Sequence, residues 1–166
     1  MREIKFRGLP TCKDKDELDY INFARDGNFA VGFYDDGYII GKVVDASDDY
    51  ISPEFWIAVD KNTVGQYTGM HDKKGREIYE GDLLRVTLVE DEDGGSFVAP
   101  VKWFSDSKYP AFDLDNVPDQ FYFYNPNSGY DANVLSTIQL RGEACEVIGN
   151  IFENGNLFDG KGSETH

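Results

Sequence analysis

Cysteine and histidine are scarce in this 166-residue chain, and their scarcity removes two classes of protein. There are two cysteines and two histidines, with no Cys-X-X-Cys pair and no cysteine–histidine cluster. This pattern excludes a disulfide-dense secreted scaffold and a zinc-finger type of site. A chain of this length buries roughly 70% of its unfolded surface, so it needs no crosslink or metal to hold a core.

Basic residues are also few, at 16 against 31 acidic ones, which gives a net charge of −15. Because neutralising phosphates requires clustered Lys and Arg, we expect no direct binding to nucleic acid and none to a membrane surface. The simplest role of such a surface is solubility. The alternative is an acidic DNA mimic, which would inhibit a DNA-binding protein by presenting carboxylates in place of phosphates.

Long apolar runs are missing as well. No stretch approaches the roughly 20 apolar residues of a membrane span. Residues 1–7 lack the apolar centre of a secretory signal. We therefore expect a cytoplasmic protein with reduced thiols.

Aromatic residues and glycine are abundant instead, with twelve Phe, ten Tyr and 17 Gly. Short strand-like segments alternate with turn signals along the chain, which predicts an all-β fold with at most short helices. The clearest hairpin is predicted over residues 29–44, with its turn at Asp35, Asp36 and Gly37. Glycine and aspartate tolerate the positive φ that a tight hairpin turn demands.

Residues 64–89 form the most specific stretch, and they predict a strand, a turn ending at Gly75, a short strand, a corner at Gly81 and a long strand. A long strand that leaves a Gly-Asp corner and returns through a hairpin is similar to small SH3-like barrels. We therefore predict an SH3-like small barrel in the C-terminal part. The predicted organisation is an N-terminal β-hairpin subdomain over 1–63, a C-terminal β-barrel subdomain over 64–158 and a tail over 159–166.

Four side chains in this stretch are candidate metal ligands: His71, Glu77, Glu80 and Asp82. Carboxylates and imidazole bind divalent cations, so metal-dependent hydrolysis is one hypothesis. The alternative is structural, with His71 in a solvated turn and Asp82 capping the corner through backbone hydrogen bonds. The chain has no nucleophile elbow, no zinc-protease motif and no phosphate loop, so we predict no catalytic residue and expect no cofactor.

Four consecutive aromatic residues, Phe121, Tyr122, Phe123 and Tyr124, are the candidate partner-binding site. Exposed rings dock protein partners or stack on bases, and the net charge favours a protein. The alternative is that two of the rings face the core and two are exposed.

Three segments together resemble the YopX-like family of phage and prophage proteins. They are residues 1–7, residues 64–84 with Gly-Gln-Tyr-Thr-Gly and Glu-Ile-Tyr-Glu-Gly-Asp, and residues 146–154. His71 and residues 116–131 depart from the family pattern. The resemblance implies a mostly-β fold and a mobile-element origin in bacteria, and it supplies no activity.

The resulting hypothesis is a non-enzymatic accessory protein in the cytoplasm of a bacterial host cell. It would act by binding a host or phage protein, with self-association into a homo-oligomer as an alternative. The lack of a catalytic motif beside an aromatic stretch favours this class over an enzyme.

Overall fold

The computed structural model describes residues 1–87, 95–105, 111–118 and 145–158. Antiparallel strands dominate it, which confirms the all-β prediction. The described residues contain thirteen strands: β1 (Phe6–Gly8), β2 (Arg25–Asp26), β3 (Phe29–Asp35), β4 (Tyr38–Ile40), β5 (Val43–Ala46), β6 (Ile51–Pro53), β7 (Trp56–Ala58), β8 (Gly65–His71), β9 (Glu77–Tyr79), β10 (Asp82–Thr87), β11 (Ser96–Phe104), β12 (Ala111–Leu114) and β13 (Cys145–Asn150). One short helix, α1 (Lys15–Asp19), and two 3₁₀ turns, Lys61–Thr63 and Gly155–Leu157, accompany them.

The chain divides into two compact units, Met1–Tyr67 and Thr68–His166, called unit 1 and unit 2 below. Strand β8 begins in unit 1 and ends in unit 2. The tail predicted over 159–166 lies outside the described residues.

Unit 1 contains a sheet with the strand order β7-β4-β3-β1-β8, and β2 pairs with β3. The predicted hairpin is present as β3 and β4, joined by the two-residue turn Asp36-Gly37. Their φ angles are 37° and 93°, the positive values that the favoured hairpin turn requires. The same two chain segments continue beyond β4 and β7 as the two-stranded ribbon β5–β6.

The core of unit 1 lies on one face of this sheet and is apolar. Ile39 and Ile57 are cross-strand neighbours there, and both are buried. The Phe23 and Phe55 rings pack beside them with centroids 5.9 Å apart. Apolar side chains alternate with outward-facing ones along β4 and β7, as a strand periodicity of two requires.

Unit 1 also buries a cation, because the Arg7 side chain is almost inaccessible to solvent. Its guanidinium donates to the Asp26 carboxylate at 2.8 Å and lies 4.3 Å from the centroid of the Phe29 ring. A buried charge is tolerated when it is paired and hydrogen-bonded. The Asp26 carboxylate and the Phe29 ring therefore stabilise the buried charge of Arg7.

Unit 2 is built on a four-stranded sheet in the order β12-β11-β10-β13. Its core includes Leu84, Val86, Ala99 and Val101, all buried. This sheet corrects the SH3-like barrel predicted for the C-terminal part. Closure requires the outer strands to hydrogen-bond to each other, but among the described residues β12 pairs with β11 alone and β13 with β10 alone.

The predicted corner at Gly81 is present and joins three strands of unit 2. Its φ is 87°, its N–H donates to the Val101 carbonyl at 2.8 Å, and its carbonyl accepts from Ile151 N–H at 2.9 Å. A Cβ atom at this position would lie 3.0 Å from the Phe152 ring. Both the backbone conformation and the space therefore require glycine.

We expect Gly81→Ala to destabilise the protein more than Gly75→Ala. Both glycines have positive φ, which costs an alanine about 1–2 kcal/mol. A Cβ at Gly75 meets nothing within 4 Å, whereas one at Gly81 also displaces the Phe152 ring. Denaturant unfolding of both variants measures the difference, and an equal or smaller loss for Gly81→Ala would contradict this account of the corner.

Candidate protein-interaction site

Two of the four predicted metal ligands accept hydrogen bonds from one tyrosine, Tyr79. Asp82 is fully buried and accepts a 2.8 Å hydrogen bond from Tyr79 N–H. The Glu77 carboxylate accepts from the Tyr79 hydroxyl, also at 2.8 Å. His71 is exposed at the end of β8, and Glu80 is half-buried beside Gly81. Across the described ranges, no group of three or more His, Cys, Asp or Glu side chains is placed to hold a metal ion.

A neighbouring carboxylate, Asp72, has a larger structural role that sequence reasoning missed. One of its oxygens accepts from Lys74 N–H at 2.8 Å and from Arg76 N–H at 2.9 Å. The other accepts from Val147 N–H in β13 at 3.0 Å. Asp72 therefore organises the turn between β8 and β9 and ties it to a strand 75 residues away. An Asp that bonds amides two and four residues on is a recognisable turn signal, but the bond to β13 has no local signature.

The electrostatics around Asp72 favour a charged carboxylate and a neutral thiol. Burial raises the pKa of Asp72, but the three amide hydrogen bonds outweigh it and hold the pKa below its ordinary value. Burial, assisted by the Asp72 charge, raises the pKa of Cys145 to about 11. The Cys145 thiol is thus neutral in the core at neutral pH.

Exposed aromatic residues lie instead on the outer face of the unit 1 sheet. Phe33, Tyr38 and Trp56, called the aromatic face below, are 60%, 48% and 64% exposed. Phe33 and Trp56 both neighbour Ile40, one on each side, so they form one cross-strand row. Tyr38 lies on the same face in the adjacent row, because side chains two residues apart share a face.

Acidic residues predominate around the aromatic face. Asp35 is the cross-strand neighbour of Tyr38 and is exposed. The Lys61 ammonium is paired with the Asp36 carboxylate at 2.6 Å. Lys42 is adjacent to Glu54 through a backbone hydrogen bond. Lys61 is therefore paired with a carboxylate, Lys42 is bonded to Glu54 through the backbone alone, and Asp35 adds negative charge.

The sequence contained a signal for this face. The strands carry apolar residues at successive positions, as in Phe33-Tyr34, Tyr38-Ile39-Ile40 and Trp56-Ile57. A strand with one solvated face usually alternates, whereas apolar residues on both faces are typical of a strand covered on both sides. The predicted partner-binding residues, Phe121, Tyr122, Phe123 and Tyr124, lie outside the described residues, so their role stays a prediction.

Comparison with known proteins places this all-β chain in a family. The family model described as "YopX protein" matches residues 35–159, so the chain belongs to the YopX family, as its three resembling segments predicted. A search of curated proteins finds no match.

A solved structure, "Crystal structure of protein EF1440 from Enterococcus faecalis", is similar to this chain. It is 21% identical, with a TM-score of 0.49, over 96% of this chain and 100% of that one. Within the described part of the chain, no helix is long and apolar enough to span a membrane.

We expect Asp72→Asn to cost about 1–3 kcal/mol of unfolding free energy at neutral pH, because the amide group turns a donor toward a backbone N–H. A carboxylate whose folded pKa is lowered stabilises above its unfolded pKa, and this stability is lost as the pH falls through the folded pKa. The difference in unfolding free energy between wild type and variant should therefore become smaller below about pH 4.

Asp49→Asn is the control for this experiment, because Asp49 is exposed and its carboxylate makes no hydrogen bond among the described residues. It should change the unfolding free energy by less than about 0.5 kcal/mol at either pH. Chemical denaturation at several pH values measures both variants. If the difference in unfolding free energy between wild type and Asp72→Asn grows in acid, the charged state assigned to Asp72 is contradicted.

Proposed function

We propose that this protein is a non-enzymatic accessory protein of phage or prophage origin that acts by binding another protein through its aromatic face. The observation that supports the proposal is the exposure of Phe33, Tyr38 and Trp56 on one face of a regular sheet. The binding surface is therefore held by a strand ladder whose opposite side packs on a core. The partner is a host or phage protein in the bacterial cytoplasm.

The chemistry of these side chains suits a protein contact. Tyr and Trp are enriched among interface residues that dominate binding, because each buries a large rigid area and retains a polar group. Truncating such a residue costs about 2 kcal/mol or more of binding free energy. A few rings on one face are therefore enough to anchor a partner.

Charge selects the type of partner. The whole chain carries a net charge of −15, so two copies repel each other over long range. A basic protein surface is attracted instead, and complementary charge accelerates its association. We therefore propose a basic protein as the partner and not a second copy of this chain.

The metal-hydrolase and DNA-mimic alternatives have less support. Two of the four predicted metal ligands are engaged with Tyr79. A DNA mimic needs exposed, unpaired carboxylates in an ordered row. Asp72 and Asp82 are buried, while Glu146 is paired with Lys73 and Lys74. An apolar anchor with an acidic surround accounts better for the described surface.

We expect Phe33→Ala and Trp56→Ala each to weaken binding of the partner by about thirtyfold, the equivalent of about 2 kcal/mol. Tyr20→Ala is the matched control, because Tyr20 is 91% exposed and lies outside the aromatic face. Affinity capture from host lysate followed by mass spectrometry identifies the protein, and calorimetry with that protein purified gives the dissociation constants. A captured protein that binds all three variants with wild-type affinity would overturn the proposal.

A further inference from the structure

Among the described residues, strand β7 lies at the edge of its sheet. The direction of its backbone groups follows from its pairing with β4. Gly41 N–H donates to the Phe55 carbonyl and Val59 N–H donates to the Gly37 carbonyl, both at 2.9 Å. In an antiparallel pair the bonded residues alternate, so it is Ile57 that bonds to β4. The backbone groups of Trp56 and Ala58 therefore point away from β4, toward the open edge.

One end of that edge is already paired with residues 9–11, which form an isolated β-bridge. Asp60 N–H donates to the Leu9 carbonyl and Thr11 N–H donates to the Ala58 carbonyl, each at 2.9 Å, with Pro10 opposite Val59. The added segment ends there. In the described parts of the chain, nothing hydrogen-bonds to the amide N–H groups of Trp56 and Ala58. Thr11 lies directly opposite Ala58, so the residue left open in line with this β-type addition is Trp56.

A cleft of about 230 Å³ lies along this edge. Its lining includes Trp56, Ile57 and Ala58 of β7 together with Cys12, Leu18 and Ile21. Glu17 is the single charged residue in the lining. The cleft therefore combines apolar walls, the Trp56 backbone donor and one carboxylate.

We propose that the partner inserts an extended, basic segment into this cleft and that the segment pairs in β fashion with Trp56 at the edge of β7. One of its carbonyl oxygens accepts from the Trp56 N–H, and its Lys or Arg side chain pairs with Glu17. Strand addition of this type obtains affinity from main-chain hydrogen bonds and specificity from the alternating side chains. The inference rests on the proposed function, because it specifies how the partner of the aromatic face is held.

The chain supplies its own reporter for occupancy of the cleft. Its two cysteines are Cys12, which is partly exposed in the cleft lining, and Cys145, which is fully buried. A thiol reagent applied to the folded protein therefore reports on Cys12. Bound peptide should slow that reaction in proportion to occupancy.

The probe is the peptide acetyl-Lys-Val-Lys-Val-Lys-Val-amide, titrated at millimolar concentration while the rate of thiol labelling is measured. Two matched peptides test the two parts of the recognition. In one, Glu replaces Lys throughout; in the other, alternate amides are N-methylated, which prevents pairing along an edge. We expect protection of Cys12 by the Lys peptide alone.

A protein variant tests the charge contact from the other side. Glu17→Gln should weaken protection by the Lys peptide, measured as the ratio of rates with and without peptide because Cys12 donates to Glu17 at 3.3 Å.

The outcomes separate this inference from the proposed function. Equal protection of the wild-type protein by the N-methylated and unmodified Lys peptides overturns the β-type pairing. No protection by the Lys peptide, or a dimer of this chain formed through β7, also overturns it. In each case, loss of partner binding in Phe33→Ala would still support the proposed function of the aromatic face, because Phe33 lies on β3 and does not line the cleft.

Discussion

The carboxylate of Asp72 is the interaction on which unit 2 most depends. A buried charge is costly unless hydrogen bonds replace its lost hydration, and three backbone amides do so here. Those amides belong to the turn after β8 and to β13, so one side chain fixes both a local shape and a long-range pairing. Strand β13 then pairs with β10, which begins at the Gly81 corner.

The same reasoning explains the structural roles of the carboxylates in residues 64–87, a stretch that is crowded with polar groups. Asp72, Glu77 and Asp82 direct their oxygens at backbone N–H groups or at the Tyr79 hydroxyl. Tyr79 itself is fully buried. Carboxylates engaged in this way stabilise a turn and a corner. The candidate binding site is the aromatic face of unit 1.

Local features of the fold could be predicted from the sequence, and long-range ones could not. Gly37, Gly75 and Gly81 identified their turns, because a positive φ is a property of one residue and its neighbours. The strand order of the unit 2 sheet depends on which distant strands pair, and a Gly-Asp corner does not determine that. The hydrogen bond from Val147 N–H to Asp72 could not be predicted either, because it joins residues 75 positions apart.

The candidate site was missed through a different limitation. Trp56 and Ile57 are both large and apolar, but one is exposed and the other buried, and composition alone does not distinguish them. Only the register of β4 with β7 shows that Trp56 lies on the solvent side. The sequence pattern therefore indicated four consecutive aromatic residues and not the three rings that strand pairing brings together.

Amide hydrogen exchange, followed residue by residue by NMR in the isolated protein, tests the central claim most directly. The claim is that the Asp72 turn is structural and that the edge of β7 is open for binding. It predicts slow exchange at the amides of Arg76, Val147 and Gly81, with rapid exchange at those of Trp56 and Ala58. Rapid exchange around Asp72 together with protection at Trp56 and Ala58 would contradict it.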